Sequence, residues 1–394
     1  METMTEPDCL LSRQPIYGST MKVEAYELRS HLPDEMKQTI FGICADANLD
    51  VIVGEHQGLV YLTSEALADG LWKGVSKSRV MFGYQDNFAP SDAIASQLCE
   101  VAANGYRLTL SGKLSPESLA LLNSPAHTVK LDVTSFMPDE LEKRVAELRN
   151  FKLKIMAEKV DTYDDLEFCK ALEFDFYQGH FLCRPAPQKQ KVPVNRFSTI
   201  RLLSKLQDAQ IPIPEVEQLV SQNVSLSYKL LRYANSASVA LPRTVNSIGH
   251  AVRLIGMDKL RAWASALLLS SVDDKPRELI TIALVRARMC ELLAKSVPDA
   301  QKESFLSAGL LSVLDALLNC PMEEAVSDLP LAEDIKRALV SGCGPIGQAL
   351  RCTIAYERAD WDDVQFYGLA PAPIRDNYLA AIAWTRQLSN GLLN

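Results

Sequence analysis

Three carboxylate side chains lie at or near the ends of short β-type runs in the first half of the chain. They are Glu27, Asp132 and Glu158, in or next to the runs that cover residues 21–28, 128–131 and 153–157. Carboxylate oxygens are ligands that hard divalent cations prefer, and two such ions can activate a water for attack on a phosphate ester. Lys130 lies two residues before Asp132 and could instead neutralise these groups, because unpaired buried charge is costly. The pattern favours an ion-pair cluster over a two-metal site, and an altered ligand site is the third interpretation.

The segments that would position these side chains alternate between β-type and helical patterns from residue 13 to residue 182. Such alternation is typical of a parallel sheet that is covered by helices. The predicted strands cover residues 21–28, 51–53, 58–62, 79–82, 107–110, 128–131 and 153–157, and the predicted helices include residues 91–103, 139–150 and 163–172. Since about 250 residues are typical of a complete eightfold barrel, this half predicts a truncated or degenerate TIM-like barrel with one or two helices missing.

Two short motifs lie near the end of this half, A-E-K-V-D-T at residues 157–162 and Q-G-H at residues 178–180. Together with the opening segment RQPIYGSTMKVEAYELRS, they resemble EAL domains, the TIM-like barrels that hydrolyse cyclic di-GMP, whose motifs are A-E-x-V-[ED]-[TN] and Q-G-[FY]. The resemblance implies that Glu27 corresponds to a metal-binding glutamate. It also implies that Lys130 and Asp132 correspond to the family's K-x-D motif, and Glu158 to the glutamate of A-E-x-V.

Other positions depart from the EAL pattern. Tyr61 stands where the resemblance places a metal-binding asparagine, and His31 stands where it places an arginine. Ser111 and Gly112 occupy the positions of the aspartate pair that bridges both metals in the family. A phenol is a poor substitute for an amide oxygen at a hard cation. We therefore expect no catalytic residue, no metal and no cofactor in this half, with Glu27, Lys130, Asp132 and Glu158 as relics of the EAL site.

Composition limits the possible partners. The 394 residues are 47% hydrophobic and 23% charged, which predicts two or three globular domains. The net charge is −8, and neither half has the basic excess that nucleic-acid binding requires. Nine cysteines without a C-x-x-C pair indicate reduced thiols, and the longest charge-free apolar run, residues 262–272, is too short to cross a membrane. No signal peptide is evident at the start, so we expect a cytoplasmic protein without nucleic-acid or membrane partners.

A proline-containing segment separates the two halves. Pro185, Pro187 and Pro193 enclose a polar run, so we predict a barrel domain at residues 10–184, a linker at 185–195 and a second domain at 196–390. The second domain shows the apolar spacing of helices almost throughout and predicts an all-α bundle. Its segments LLRYANS at 230–236, LPR at 241–243 and IGHAVRLIGMDKLR at 248–261 resemble the HDOD domain, a helical module related to HD hydrolases.

Four arginines in the helical half could form a contact surface. They are Arg232, Arg243, Arg253 and Arg261. Guanidinium groups suit acidic or phosphate partners, although ordinary helix-surface charge explains the same pattern and is the favoured interpretation. His250 is the one histidine of this half and is followed by Ala251, whereas HD hydrolases need an adjacent His-Asp pair and further histidines to bind metal.

The order of the two domains resembles the EAL-HDOD family of bacterial signalling proteins. From the lost ligands we expect a non-catalytic regulator that acts by protein contacts, and the resemblance implies cyclic di-GMP-linked control of motility or biofilm formation. Two alternatives remain open: a residual phosphodiesterase that uses Glu27, Asp132 and Glu158, or a non-hydrolysing sensor that contacts phosphates through Lys130. On this view cyclic di-GMP binding is doubtful, and the sequence leaves the protein partners and the oligomeric state open.

Overall fold

The structure is a computed structural model of the 394-residue chain. It describes residues 10–31, 48–86, 92–112, 119, 127–187, 194–208, 210–222, 224–235, 245, 247–270, 275–327 and 329–392. The chain forms two compact units. One comprises Met1–Arg184 with Glu357–Ala359, and the other comprises Pro185–Tyr356 with Asp360–Asn394.

The first unit contains a closed barrel of eight strands that follow one another in chain order. They are β1 Leu10–Gly18, β2 Val23–His31, β3 Gln57–Tyr61, β4 Val80–Asp86, β5 Leu108–Gly112, β6 Thr128–Asp132, β7 Lys154–Glu158 and β8 Phe176–Tyr177. β1 is antiparallel to both neighbours, β2 and β8, and the other pairs are parallel. The predicted TIM-like barrel is therefore confirmed, and its sheet is closed.

The described helices of this unit lie between the strands. They are α1 Asn48–Val53, α2 Ser64–Ala68, α3 Asp92–Ala103, α4 Pro138–Leu148 and α5 Tyr163–Ala171. The strand predicted at residues 51–53 is wrong, because these residues end α1. Leu49, Ile52 and Val53 are all buried at the i, i+3 and i+4 spacing of one helix face. The apolar run at residues 51–53 is too short to show by itself whether the segment is a strand or the end of a helix.

The interior of the barrel changes from apolar to polar along its length. Ile16, Ala25, Leu59 and Met156 form a buried apolar layer, against which Tyr61, Met81 and Phe176 pack. Along β1, Ser12 and Gln14 share the inward face with Ile16, because alternate residues of a strand point to the same side. Both polar side chains are buried. Since β1 runs antiparallel to its neighbours, they lie toward the carboxyl ends of the parallel strands, where barrel enzymes place their chemistry.

The second unit is helical over the residues that the structure describes, as predicted. Its helices are α6 Val194–Leu206, α7 Ile213–Ser221, α8 Val224–Ala234, α9 Ile248–Ile255, α10 Met257–Ser270, α11 Arg277–Leu293, α12 Lys302–Leu311, α13 Leu314–Leu318, α14 Met322–Ser327, α15 Glu333–Ser341, α16 Gly344–Arg358 and α17 Pro371–Leu392. α11 is buried along most of its length. Six residues of the predicted linker, 188–193, lie outside the described part, and the linker stays a prediction.

Within the described residues, none of the helices is both long and apolar enough to cross a bilayer.

Candidate functional site

Charged side chains from three strands meet at the carboxyl end of the barrel. Nζ of Lys130 on β6 lies 2.6 Å from Oε2 of Glu27 on β2 and 2.8 Å from Oε1 of Glu158 on β7. Only 2% of the Lys130 side chain is exposed. The ammonium group therefore lies inside the barrel, between two carboxylates that the sequence places more than a hundred residues apart.

Two further side chains complete this group, which we call the strand-end cluster: Glu27, Arg29, Lys130, Glu158 and Gln178. Nε of Arg29 donates to Oε1 of Glu27 at 3.0 Å, and an Nη atom of Arg29 lies 3.3 Å from Glu158. Nε2 of Gln178 donates to Oε2 of Glu27 at 3.0 Å. Both oxygens of Glu27 are thus engaged by donors, which satisfies a carboxylate that is almost completely buried.

Opposite charges keep Glu27 and Lys130 ionised despite their burial. Burial alone would raise the pKa of Glu27, but the charges of Lys130 and Arg29 and the donors around it lower that pKa to about 2. Burial would lower the pKa of Lys130, and the carboxylates of Glu27 and Glu158 raise it above its ordinary value instead. Glu27 and Lys130 therefore form a charged pair at neutral pH.

The remaining predicted relic, Asp132, lies outside this cluster. It is paired with Glu158 in the strand register, but its Oδ2 accepts from Nζ of Lys159 at 2.7 Å. Its Oδ1 accepts from the backbone and the hydroxyl of Thr134. The structure therefore brings Glu27, Lys130 and Glu158 together, and it engages Asp132 in a more exposed ion pair of its own.

The positions of the lost ligands hold neutral groups. The ring of Tyr61 lies with its centroid 5.5 Å from Nζ of Lys130. It packs directly on Gly83, where an added Cβ would lie 2.9 Å from the ring. Burial raises the pKa of Tyr61, so the phenol is neutral at physiological pH. Ser111 is buried and Gly112 is exposed at the end of β5.

The described residues do not fit a pair of divalent cations. Within this part of the chain, no group of three or more His, Cys, Asp or Glu side chains is arranged to hold a metal ion. The two carboxylates of the strand-end cluster, Glu27 and Glu158, share the Lys130 ammonium group that lies between them. A divalent cation between these carboxylates would be repelled by the positive charge of Lys130.

The sequence interpretation missed several residues of this end of the barrel. Arg29 was overlooked although it lies on the same strand and face as Glu27, two residues further on. Gln14 and Gln178 are buried, and their Oε1 atoms have no hydrogen-bond partner among the residues that the structure describes. His180 contacts Asp161 with Nδ1 to Oδ1 at 3.1 Å. The Q-G-H motif was the available signal for His180, because it departs from Q-G-[FY] at that residue.

The candidate contact surface of the helical unit is smaller than predicted. Arg232 and Arg253 are exposed on α8 and α9. Arg261 is only 6% exposed, and an Nη atom donates to the carbonyl oxygen of Asp208 at 2.7 Å. It therefore stabilises the interior of this unit and does not belong to its surface. Arg243 lies outside the described residues.

Comparisons with known proteins give the family of this chain. The HDOD domain family matches residues 194–331. The cyclic di-GMP phosphodiesterase CdgJ of Vibrio cholerae is 30% identical over 311 residues, which cover 76% of this chain and 72% of that protein. The uncharacterized protein YuxH of Bacillus subtilis is 25% identical over 404 residues, covering 96% of this chain and 98% of YuxH.

Among solved structures, the chain is similar to a standalone EAL protein from Vibrio cholerae O395 in its c-di-GMP bound form. The TM-score is 0.37 and the identity 13%, over 44% of this chain and 91% of that one.

These findings go against two predictions. We expected a protein that is not an enzyme, and this expectation is wrong, because a relative that is 30% identical over most of its length is named a cyclic di-GMP phosphodiesterase. The expectation that cyclic di-GMP binding is doubtful is not borne out either. By its identity to this relative, its barrel and its HDOD domain, the chain belongs to the EAL-HDOD family of cyclic di-GMP signalling proteins.

Proposed function

We propose that this chain is a phosphodiesterase that acts on cyclic di-GMP at the carboxyl end of its barrel. The observation that carries the proposal is the strand-end cluster, where two cationic and two anionic side chains converge with Gln178 at that end. Its identity to CdgJ supports the choice of substrate. Protein contacts through Arg232 and Arg253, in cyclic di-GMP-linked control of motility or biofilm formation, are the second part of the proposal.

The exposure of the cluster indicates which members can reach a ligand. Lys130 and Glu27 are buried, whereas the side chains of Arg29 and Glu158 are 28% and 20% exposed. Cyclic di-GMP carries a negative charge on each of its two phosphodiesters, and a guanidinium group can donate two parallel hydrogen bonds to such a group. Arg29 is therefore the residue that we assign to phosphate binding, with Lys130 as a fixed positive charge behind it.

Titration calorimetry with cyclic di-GMP and product chromatography test this function together. Arg29→Met should weaken binding at least tenfold, because it removes a charge-assisted contact worth roughly 1.5–3 kcal/mol. Arg144→Met is a matched control, since Arg144 is another ion-paired arginine of the barrel whose side chain is 23% exposed. The control should bind like the wild type. A wild-type protein that neither binds nor cleaves cyclic di-GMP would refute the proposal, as would unchanged binding by Arg29→Met.

A further inference from the structure

His180 is a feature of this chain that the EAL resemblance does not supply. It follows Gln178 and Gly179 at the exit of β8, where the family motif has phenylalanine or tyrosine. Phenylalanine at this position can only pack, and the hydroxyl of tyrosine can form hydrogen bonds but stays protonated near neutral pH. An imidazole can also accept and donate protons near neutral pH, which makes the substitution a change of chemistry.

Asp161 fixes the orientation and the tautomer of this histidine. Oδ1 of Asp161 lies 3.1 Å from Nδ1 of His180 and also accepts from the backbone N–H of His180 at 2.9 Å. The hydrogen bond from the His180 side chain is the main reason that the pKa of Asp161 falls to about 2. Because an ionised carboxylate only accepts hydrogen bonds, Nδ1 carries the proton. The lone pair of the neutral ring is then at Nε2.

The backbone around this pair is tightly packed. A Cβ at Gly179 would lie 1.9 Å from the carbonyl oxygen of Val160, so only glycine fits there. The N–H of Val160 donates to the carbonyl of Gln178 at 3.0 Å, and the N–H of Phe181 donates to the carbonyl of Val160 at 3.3 Å. These contacts join the segments that follow β7 and β8, and they hold Asp161 and His180 at a fixed separation.

Nε2 of His180 points toward the polar interior of the barrel. With the proton on Nδ1, it accepts a long hydrogen bond, 3.5 Å, from the side-chain nitrogen of Gln14, which is buried on β1. Gln14 pairs with Glu27 in the β1–β2 register, and Gln178 donates to Glu27. The His180–Asp161 pair is therefore next to the strand-end cluster. The imidazole remains 20% exposed, so solvent and a ligand can reach it.

We infer that His180 is a general base for cleavage of the phosphodiester, with Asp161 as its positioning residue, in a reaction that needs no divalent cation in the strand-end cluster. This inference rests on the proposed function. In the reaction, a water oxygen forms a bond to phosphorus while Nε2 of His180 takes a proton from that water. The bond from phosphorus to the ribose 3′ oxygen breaks, and that oxygen takes a proton from solvent. The imidazolium, paired with Asp161, then returns its proton to solvent.

The test measures cyclic di-GMP turnover by the full chain in buffer with EDTA. His180→Phe introduces the residue type of the family motif and should lower kcat at least 100-fold, the lower end of what a general base contributes. Its Kd for cyclic di-GMP, measured by calorimetry, should stay within about twofold of the wild type, because the phosphate is assigned to Arg29. His180→Ala should regain part of the lost rate when imidazole is added, a response that a purely structural role would not produce.

Two further variants complete the design. Asp161→Asn should lower kcat with little change in Kd, because an amide can accept the same backbone N–H but does not stabilise the imidazolium. His250→Asn removes a histidine of the helical unit and should keep the wild-type rate. Circular dichroism melts of each variant verify that its fold is intact.

Three results would overturn the role of His180 while leaving cyclic di-GMP as the substrate. They are abolition of wild-type turnover by EDTA, an unchanged rate for His180→Phe, and no response of His180→Ala to imidazole. Absence of turnover under all metal conditions would refute both this role and the proposed phosphodiesterase function, and absence of binding as well would remove cyclic di-GMP as the ligand.

Discussion

Removing the buried ammonium group should reverse the pH dependence of stability that Glu27 contributes. In the wild type the pKa of Glu27 falls from 4.5 to about 2, which corresponds to about 3 kcal/mol of stabilisation of the ionised form. Because the folded-state pKa is depressed, this contribution is present above pH 4.5 and is lost as the pH falls toward 2. Between pH 7 and pH 5, Glu27 of the wild type should therefore add no pH dependence.

Lys130→Met leaves Glu27 buried with Arg29 and Gln178 but without its main counter-charge. Breaking a buried ion pair on one side costs about 3–5 kcal/mol, and the pKa of Glu27 gives a similar value of about 3 kcal/mol. Burial then raises the pKa of Glu27 with less opposition, so protonation relieves the buried charge. The variant should be least stable at pH 7 and should gain stability as the pH falls toward 5. This pH dependence is opposite to that of a stabilising carboxylate, whose contribution is lost as the pH falls.

The assay must report on the barrel alone, since the chain has two units. Hydrogen exchange measured by mass spectrometry on peptides that cover β6 and β7 gives the opening free energy of those strands at each pH. Lys159→Met is the matched control, because its ion pair with Asp132 is exposed and should contribute less than about 1 kcal/mol. Glu27→Gln combined with Lys130→Met should recover part of the loss. A loss below about 1 kcal/mol in Lys130→Met, or no gain toward pH 5, would refute the assigned pairing.

Two other perturbations test the packing. Gly179→Ala should destabilise the barrel by about 1–3 kcal/mol or more in thermal melts, because its Cβ meets a backbone carbonyl, whereas Gly58→Ala should cost less because the nearest atom belongs to a leucine side chain at 3.3 Å. Equal effects of the two would contradict the close contact at Gly179. In the helical unit, Arg261→Glu should unfold α10 locally because it places a carboxylate next to the carbonyl of Asp208, while Arg232→Glu should leave the melt unchanged and weaken partner capture. Similar melting temperatures for the two arginine variants would contradict the buried position of Arg261.

Some of the site could be predicted from the sequence because it depends on periodicity. Glu27, Lys130 and Glu158 each lie on the inward face near the end of an apolar strand, and parallel strands bring such ends together. The burial of Arg261 could not be predicted in this way, since an amphipathic helix pattern does not show which arginine faces a neighbouring carbonyl.

The other missed features depend on tertiary contacts. The separation of Asp161 and His180 depends on the fit of Gly179 against Val160, a contact between segments 19 residues apart. The sequence predicts a strand at residues 51–53 because three apolar residues carry too little periodicity to distinguish a strand from a helix.

The charges of the strand-end cluster explain why the lost ligands and the internal cation occur together. Glu27 and Glu158 are balanced by Arg29 and Lys130, and the neighbouring positions hold the neutral side chains of Tyr61 and Ser111. An aspartate pair at residues 111–112 would add two negative charges at the same end of the barrel, and excess negative charge there requires cations to offset it. With neutral side chains at those positions, Lys130 and Arg29 are sufficient to neutralise Glu27 and Glu158. The same balance leaves no strong metal ligand free in the cluster, which is why a proton acceptor outside it, His180, is the group that we assign to the chemistry.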